Sequence, residues 1–438
     1  MSNKVLILHD NQPYANRLIN MGDSALTEGF YNILRQHGNL EIISAGRKNF
    51  PYFNIKKIRA FSSKVELENI FNGLILKLIK KNKKGIVLEQ KLFNSIYNNP
   101  AFNNSIFQEL NRRFSEKYSK NISETITPFI FRNLSFAKQM EKIQQSDFVL
   151  CNTGGLIADH LDFYLPSYLF ECFLAKKLGK PTISLNQSIA VNKPLNRAMV
   201  SLIYGMLDFH MTREPISTNK LIDMGIDKNR IITSCDTAFA TDYNVDKITI
   251  EKLVKRNRLK DGGIGIAIRG DRNVNYPKVI DTIKLLKRKF KKRVYFIATC
   301  KAHDMCVYNK LSKVCNILYL DDLNDYRVLT NLIKFLDIVI TDRYHAAIFT
   351  IIARTPLIAL HSQTIKIEGL FKLFQYPIKT FKFEDLAPKE IIGNVELALN
   401  QKNRIKGILA NTHKQLRNKV INDINSILSS METQKFNN

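Results

Sequence analysis

Several signatures are missing from this sequence, and each absence removes a class of chemistry. It has no GxxxxGK[ST] phosphate loop, no GxGxxG dinucleotide fingerprint and no HExxH motif. No spaced Asp-x-Asp pair stands out; Asp321 and Asp322 are adjacent and read as a loop feature, so no metal is expected. Cysteine is sparse and scattered, with six in the chain. The one cluster, Cys300, His303 and Cys306, lacks the second half of a structural zinc site, and reduced, partly buried thiols are expected. Apolar runs such as NGLILKLI are much shorter than a membrane span. The opening MSNKVLILHDN has neither the long apolar segment nor the small-residue cleavage site of a leader, so a cytoplasmic protein is expected. Acid is in deficit: 39 Asp+Glu face 66 Lys+Arg, a net charge of +27. That balance suits nucleic acid, an anionic membrane surface or anionic substrates. The basic residues are spread out, without an arginine-rich block or interleaved aromatics. Nucleic acid is therefore not expected as a partner, while peripheral contact with an anionic membrane stays open.

The 438 residues are too many for one ordinary core, and the 45% apolar content is that of a globular protein. Strand-like runs alternate with segments of helical period. KVLILH (4–9), LEIISAG (40–46), DFVLCNTGG (147–155), PTISLNQ (181–187), DFHMTRE (208–214) and IITSCD (231–236) form one series. GIGIAIRG (263–270), RVYFIATC (293–300), NILYLDD (316–322), DIVITDR (337–343) and PLIALHS (356–362) form a second. Such alternation predicts an α/β protein of two Rossmann-like doubly wound domains facing a cleft. The polar stretch 241–262 is the expected linker, giving an N-terminal domain over 1–245 and a C-terminal domain over 246–430. Residues 50–135 break the alternation and predict a helical insertion in the first domain; 388–430 predicts one or two helices, and 431–438 a frayed tail.

The chemistry-bearing side chains fall at strand ends. The run DIVIT stops at Asp342-Arg343-Tyr344-His345, and the apolar AAIFTIIA begins a helix at once. A strand buried on both faces is continuously apolar, and ligands of parallel sheets bind beyond the strands' carboxyl ends. There the free N–H groups of a new helix favour an anion, Arg343 offers a planar fork for carboxylate or phosphate, and His345 is a proton-transfer candidate. The competing reading has Asp342 capping the helix while Arg343 and His345 merely pack. The pattern recurs, however: Arg213 follows DFHMT, Arg269-Gly270 follows GIGIAI, Gly154-Gly155 follows DFVLCNT, and Asp23 lies at the start of a helix. Asp159 and His160 suit the hydroxyls of an acceptor, or a helix cap; Lys366 suits an anion, or solvent.

These residues resemble the polysaccharide pyruvyl transferase family. The similarity is carried by Thr341-Asp342-Arg343-Tyr344-His345-Ala346-Ala347, then Arg354-Thr355-Pro356, then Lys366. Earlier elements are similar in order: Asn20-Met21-Gly22-Asp23, Thr153-Gly154-Gly155, Gly179-Lys180-Pro181 with Asn186-Gln187-Ser188, Arg213-Glu214 with Ser217, Leu221 and Gly225, and Cys235-Asp236-Thr237-Ala238-Phe239. Leu156 replaces a usual glycine, Thr237 a usual proline, and the 50–135 insertion has no counterpart. The resemblance implies a GT-B-like fold, phosphoenolpyruvate as donor with no further cofactor, and a saccharide or lipid-linked saccharide as acceptor. It implies a pyruvate ketal as product. Arg213, Arg269, Arg343, Tyr344, Lys366, Gly154 and Gly155 are then expected around the donor, with His345 as acid/base and Arg343 beside it. Asp23, Asp159 and His160 are expected on the acceptor side.

Overall fold

The structure is a computed structural model that describes residues 3–10, 20–37, 40–46, 142–152, 154–155, 157–159, 164–271, 274–361, 365–382 and 387–435. The expected insertion at 50–135, together with Thr153, Leu156 and His160, lies outside the described residues. The fold is α/β, with two sets of parallel strands in two compact units.

The first unit comprises residues 1–13, 37–233 and 425–438. Its strands are β1 (Asn3–Asp10), β2 (Leu40–Gly46), β3 (Phe148–Asn152), β4 (Ile157–Ala158), β5 (Thr182–Gln187), β6 (Ile189–Ala190), β7 (Phe209–Thr212) and β8 (Ile231–Thr233). Six of them form one sheet in the order β2-β1-β3-β5-β7-β8, every pair parallel. Val5, Leu6, Ile7 and Leu8 of β1 are fully buried, as a central strand covered on both faces requires. The two-residue ladder β4·β6 is too short to leave a periodic signal, and sequence reading missed it.

The second unit comprises residues 14–36 and 234–424. Its strands are β9 (Ile264–Ala267), β10 (Val294–Phe296), β11 (Leu318–Tyr319), β12 (Ile338–Thr341), β13 (Leu357–His361) and β14 (Phe381–Lys382). The order β11-β10-β9-β12-β13-β14 reverses direction between β9 and β12, which register as Ile264↔Ile338 through Ala267↔Thr341. The carboxyl ends of those two strands are where a doubly wound sheet opens to ligands.

Two expectations about domain limits are corrected. The stretch 241–262 is no linker: the division falls between 233 and 234, and Lys247–Arg256 is a helix of the second unit. Asp246 caps that helix by accepting from Thr249 N at 2.8 Å, while Leu253, Val254 and Leu259 are buried. Its charged residues sit on the other face, which made it look like a solvated connector. Secondly, helix α1 (Met21–Gln36) belongs to the second unit, although it follows β1 in the chain. Thr237 and Thr241 donate their hydroxyls to the carbonyls of Leu26 and Ala25, at 2.8 and 2.7 Å. The C-terminal part forms two helices, Pro388–Asn400 and Lys402–Lys435. The second continues past 430, where a frayed tail was expected.

The first unit holds a buried histidine with consequences for acid stability. His210, on β7, is fully buried, stacks on Tyr204 at 4.9 Å and shares a 3.1 Å hydrogen bond with Ser184 Oγ through Nδ1. Burial, helped by the charge of Arg230, lowers its pKa to about 3. The unfolded chain takes up that proton first, near the ordinary value of 6.5, so the contribution is complete above pH 6.5 and lost as pH falls towards 3. At pH 5 the loss relative to neutral pH is about 2 kcal/mol. Urea unfolding at pH 7.5 and pH 5 should show it, and His210→Phe should reduce the difference between the two by about that amount. Identical pH dependence in both proteins would remove His210 as the cause.

Candidate functional site

In the second unit the β9 and β12 ends are joined by one acid. Asp342 N donates to Ala267 O at 3.1 Å, and an Asp342 carboxylate oxygen accepts from Arg269 N at 2.8 Å. Asp342 is thus a tie between strands, just before the following helix, Tyr344–Ala353. That helix has Arg343 at its N-cap position, and the Arg343 side chain makes no capping hydrogen bond; a helix start of this kind favours an anion.

A buried acid then fixes the arginine. Asp304, in the first turn of helix Lys301–Cys315, is wholly buried. Its Oδ1 accepts from Arg343 Nη2 and, at 3.4 Å, from Gly270 N; its Oδ2 accepts from Cys300 N at 2.9 Å. One carboxylate therefore links the ends of β9, β10 and β12. Gly270 permits this approach: a Cβ there would lie 1.7 Å from His303 O. A second acid, Asp271, lies between two guanidinium groups. It receives Arg269 Nε at 2.9 Å and Nη2 at 2.7 Å, with Arg343 Nη1 3.9 Å away. Burial opposes ionisation of Asp271, but the hydrogen bonds and charge of Arg269, aided by Arg343, outweigh it and hold the carboxyl well below the usual range. Two forks can evidently share one anion here.

His345 occupies the second position of the same helix and is seated against α1. Met21 N donates to Thr299 O at 2.9 Å, and Asn20 bridges to Cys300, which fixes the start of α1 beside the β10 end. Asn20 Oδ1 accepts from Gly22 N at 3.0 Å. A Cβ on Gly22 would fall 1.8 Å from His345 Nδ1, so the ring fills the space that any side chain at 22 would need. On the other side, His345 Nε2 lies 3.7 Å from Oδ2 of the fully buried Asp236. Tyr344 meets the ring edge-on at 5.2 Å, and Phe349 stacks on it at 6.4 Å.

The second unit thus brings together Arg269, Arg343, Tyr344 and His345. Lys366 opens the short helix Lys366–Phe371, beyond the end of β13, and Asp23 stands in the first turn of α1. The remaining candidates belong to the first unit. Arg213 is buried after β7 and donates from Nε to Ser188 Oγ at 2.7 Å. Gly154, with φ of 61°, is buried and accepts from Ser188 N at 2.9 Å; Gly155 is half-buried. The Asp159 carboxylate accepts from Asn192 N at 2.6 Å, Lys193 N at 3.1 Å and Asn196 Nδ2 at 2.8 Å, around the start of helix Pro194–Met206. Among the described residues no group of three His, Cys, Asp or Glu side chains could hold a metal ion.

Sequence reading gave Asp304 and Asp271 no role. Gly22 and Asp236 stood inside quoted motifs, again without one. The signal for Asp304 was an acid in the first turn after a strand end, masked by attention to the neighbouring cysteines and histidine.

Two Rossmann-like units, each built on parallel strands, make a GT-B-like fold, and solved structures agree. HepE from Anabaena in complex with UDP superposes with a TM-score of 0.52 at 11% identity, covering 99% of this chain and 100% of that one. S. aureus MnaA with UDP gives 0.51 at 14%, covering 98% and 97%. A glycosyltransferase from Rickettsia africae gives 0.50 at 13%, covering 98% of each. At these identities the likeness concerns the fold. No curated protein matches the sequence. The family model described as polysaccharide pyruvyl transferase matches residues 20–363, and the chain belongs to that family.

Proposed function

We propose that this transferase moves the enolpyruvyl group of phosphoenolpyruvate onto two hydroxyls of a saccharide, forming a pyruvate ketal and releasing phosphate. The observation that carries the reading is the pair of guanidinium groups, Arg269 and Arg343, meeting on one carboxylate at the start of the helix that bears His345. Phosphoenolpyruvate has a carboxylate and a phosphate, and one of them takes the place that Asp271 holds. His345 protonates the enol CH2 carbon, which leaves an oxocarbenium-like centre. The first acceptor hydroxyl adds there, and its proton returns to the imidazole. Phosphate then departs with its electron pair, the second hydroxyl closes the ketal, and phosphate carries away the second proton. The arginines offset the charge gathering on the leaving group. No described helix is long and apolar enough to cross a membrane. A net charge of +27 suits an anionic, lipid-linked acceptor met at the cytoplasmic face.

Phosphoenolpyruvate should raise the melting temperature and UDP-glucose should not. Incubation with the donor and a panel of saccharides should yield inorganic phosphate and an acceptor heavier by one pyruvyl group. Protection by UDP-glucose alone, with no phosphate released on any acceptor, would overturn the reading.

A further inference from the structure

Asp236 has no part in the reaction as set out above, yet it is the acid that faces its proton donor. We infer that Asp236 is the positioning residue for His345. It holds the ring in the Nε2–H tautomer and leaves Nδ1, beside Gly22 at the start of α1, as the nitrogen that takes and gives the proton. Only the kinetic arm of the test below rests on the proposed transfer reaction.

The two carboxylate oxygens of Asp236 face different groups. Oδ1 accepts from Ala238 N at 2.9 Å and caps the short turn Thr237–Ala240. Oδ2 faces His345 Nε2 at 3.7 Å. Nε2 is buried and has no hydrogen-bond partner among the described residues. An ionised carboxylate only accepts, so it favours N–H at the facing nitrogen; the opposite tautomer would set lone pair against lone pair.

The ring has little freedom to choose otherwise. Phe349, one turn further along the same helix, stacks on it at 27° between planes, and Tyr344 meets it at 72°. Gly22, lacking a side chain, leaves room for the Nδ1 edge where a Cβ would otherwise be. Thr237 and Thr241, flanking the turn that Asp236 caps, also bind α1. Asp236, Gly22 and His345 are therefore set by one packed arrangement. When His345 gains its second proton, Asp236 stabilises the imidazolium without taking the proton itself.

The test is 15N NMR of the protein labelled only at histidine, with His345→Gln used to identify the His345 signals. Neutral His345 should show a pyrrole-like Nε2 and a pyridine-like Nδ1. Asp236→Asn keeps the volume and an oxygen for Ala238 N while presenting an NH2 group to Nε2, so the two signals should exchange character. In turnover, Asp236→Asn should lower kcat about 10- to 100-fold and change the KM for phosphoenolpyruvate less than about threefold. A wild-type ring protonated at Nδ1, which needs no Asp236 variant to observe, overturns the inference. An unchanged tautomer in a folded Asp236→Asn protein overturns it equally. The expected tautomers without phosphate release from either protein would uphold the pair and sink the transfer reaction instead.

Discussion

Alanine at position 345 is expected to lower kcat for phosphate release by about 10²–10⁴ while leaving the donor Kd within about threefold. In the proposed reaction the imidazole exchanges the proton, whereas Arg269 and Arg343 meet the charge of the donor. Arg343→Lys gives the reverse pattern. It keeps a positive charge but loses the planar fork held by Asp304, so the donor Kd should rise while the proton donor stays in place. Both variants should keep the wild-type circular dichroism spectrum, because the fully buried β12 strand stops short of the exchanged side chains. Steady-state kinetics and calorimetric donor binding separate the two cases. A folded His345→Ala protein with near-normal kcat would take His345 out of the mechanism, and the proton would then come from Tyr344, Asp342 or water.

The second large effect is on stability. Asp304→Ala should cost about 3–5 kcal/mol, since it leaves a guanidinium with only 12% of its side chain exposed and no counter-charge at Nη2. It also strips the backbone N–H of Cys300 of its acceptor. The urea midpoint should fall accordingly. Adding Arg343→Met to Asp304→Ala should recover part of the loss, because the stranded charge is then gone. A loss below about 1 kcal/mol would show that Asp304 does not hold the three strand ends together.

The strands of this fold were legible because a parallel strand covered on both faces writes an unbroken apolar run, as DIVIT and GIGIAI do. The site's arginines and His345 were legible for a related reason: a polar cluster directly after such a run has few places to go except the open end of the sheet. Partnerships across long sequence separations left no such trace. Asp304 meets Arg343, and Asp236 meets His345, only once the strand order is known. The sequence could not show the partners of Asp159, because the backbone N–H groups of Asn192 and Lys193 that it accepts from lie more than thirty residues downstream. The division at 233/234 was hidden by composition, since the charged helix Lys247–Arg256 shows only a narrow apolar stripe. The two-residue strand β14 spans a single period of alternation, too little to show a pattern, whereas β11 lay inside the apolar run NILYLDD.

The place of α1 bears on how the chain folds during synthesis. The helix leaves the ribosome early, yet the surface that receives it, around Thr237, Thr299 and His345, is made some two to three hundred residues later. Until then an amphipathic segment with a buried face of Leu26, Phe30, Ile33 and Leu34 has nowhere to dock, and closing so long a loop is slow. The second unit consequently cannot be prepared as an uninterrupted fragment from residue 234 onward without losing Asn20, Gly22 and one wall of the imidazole site. The candidate site needs both Gly22 and His345, so it can be assembled only after both segments have been made.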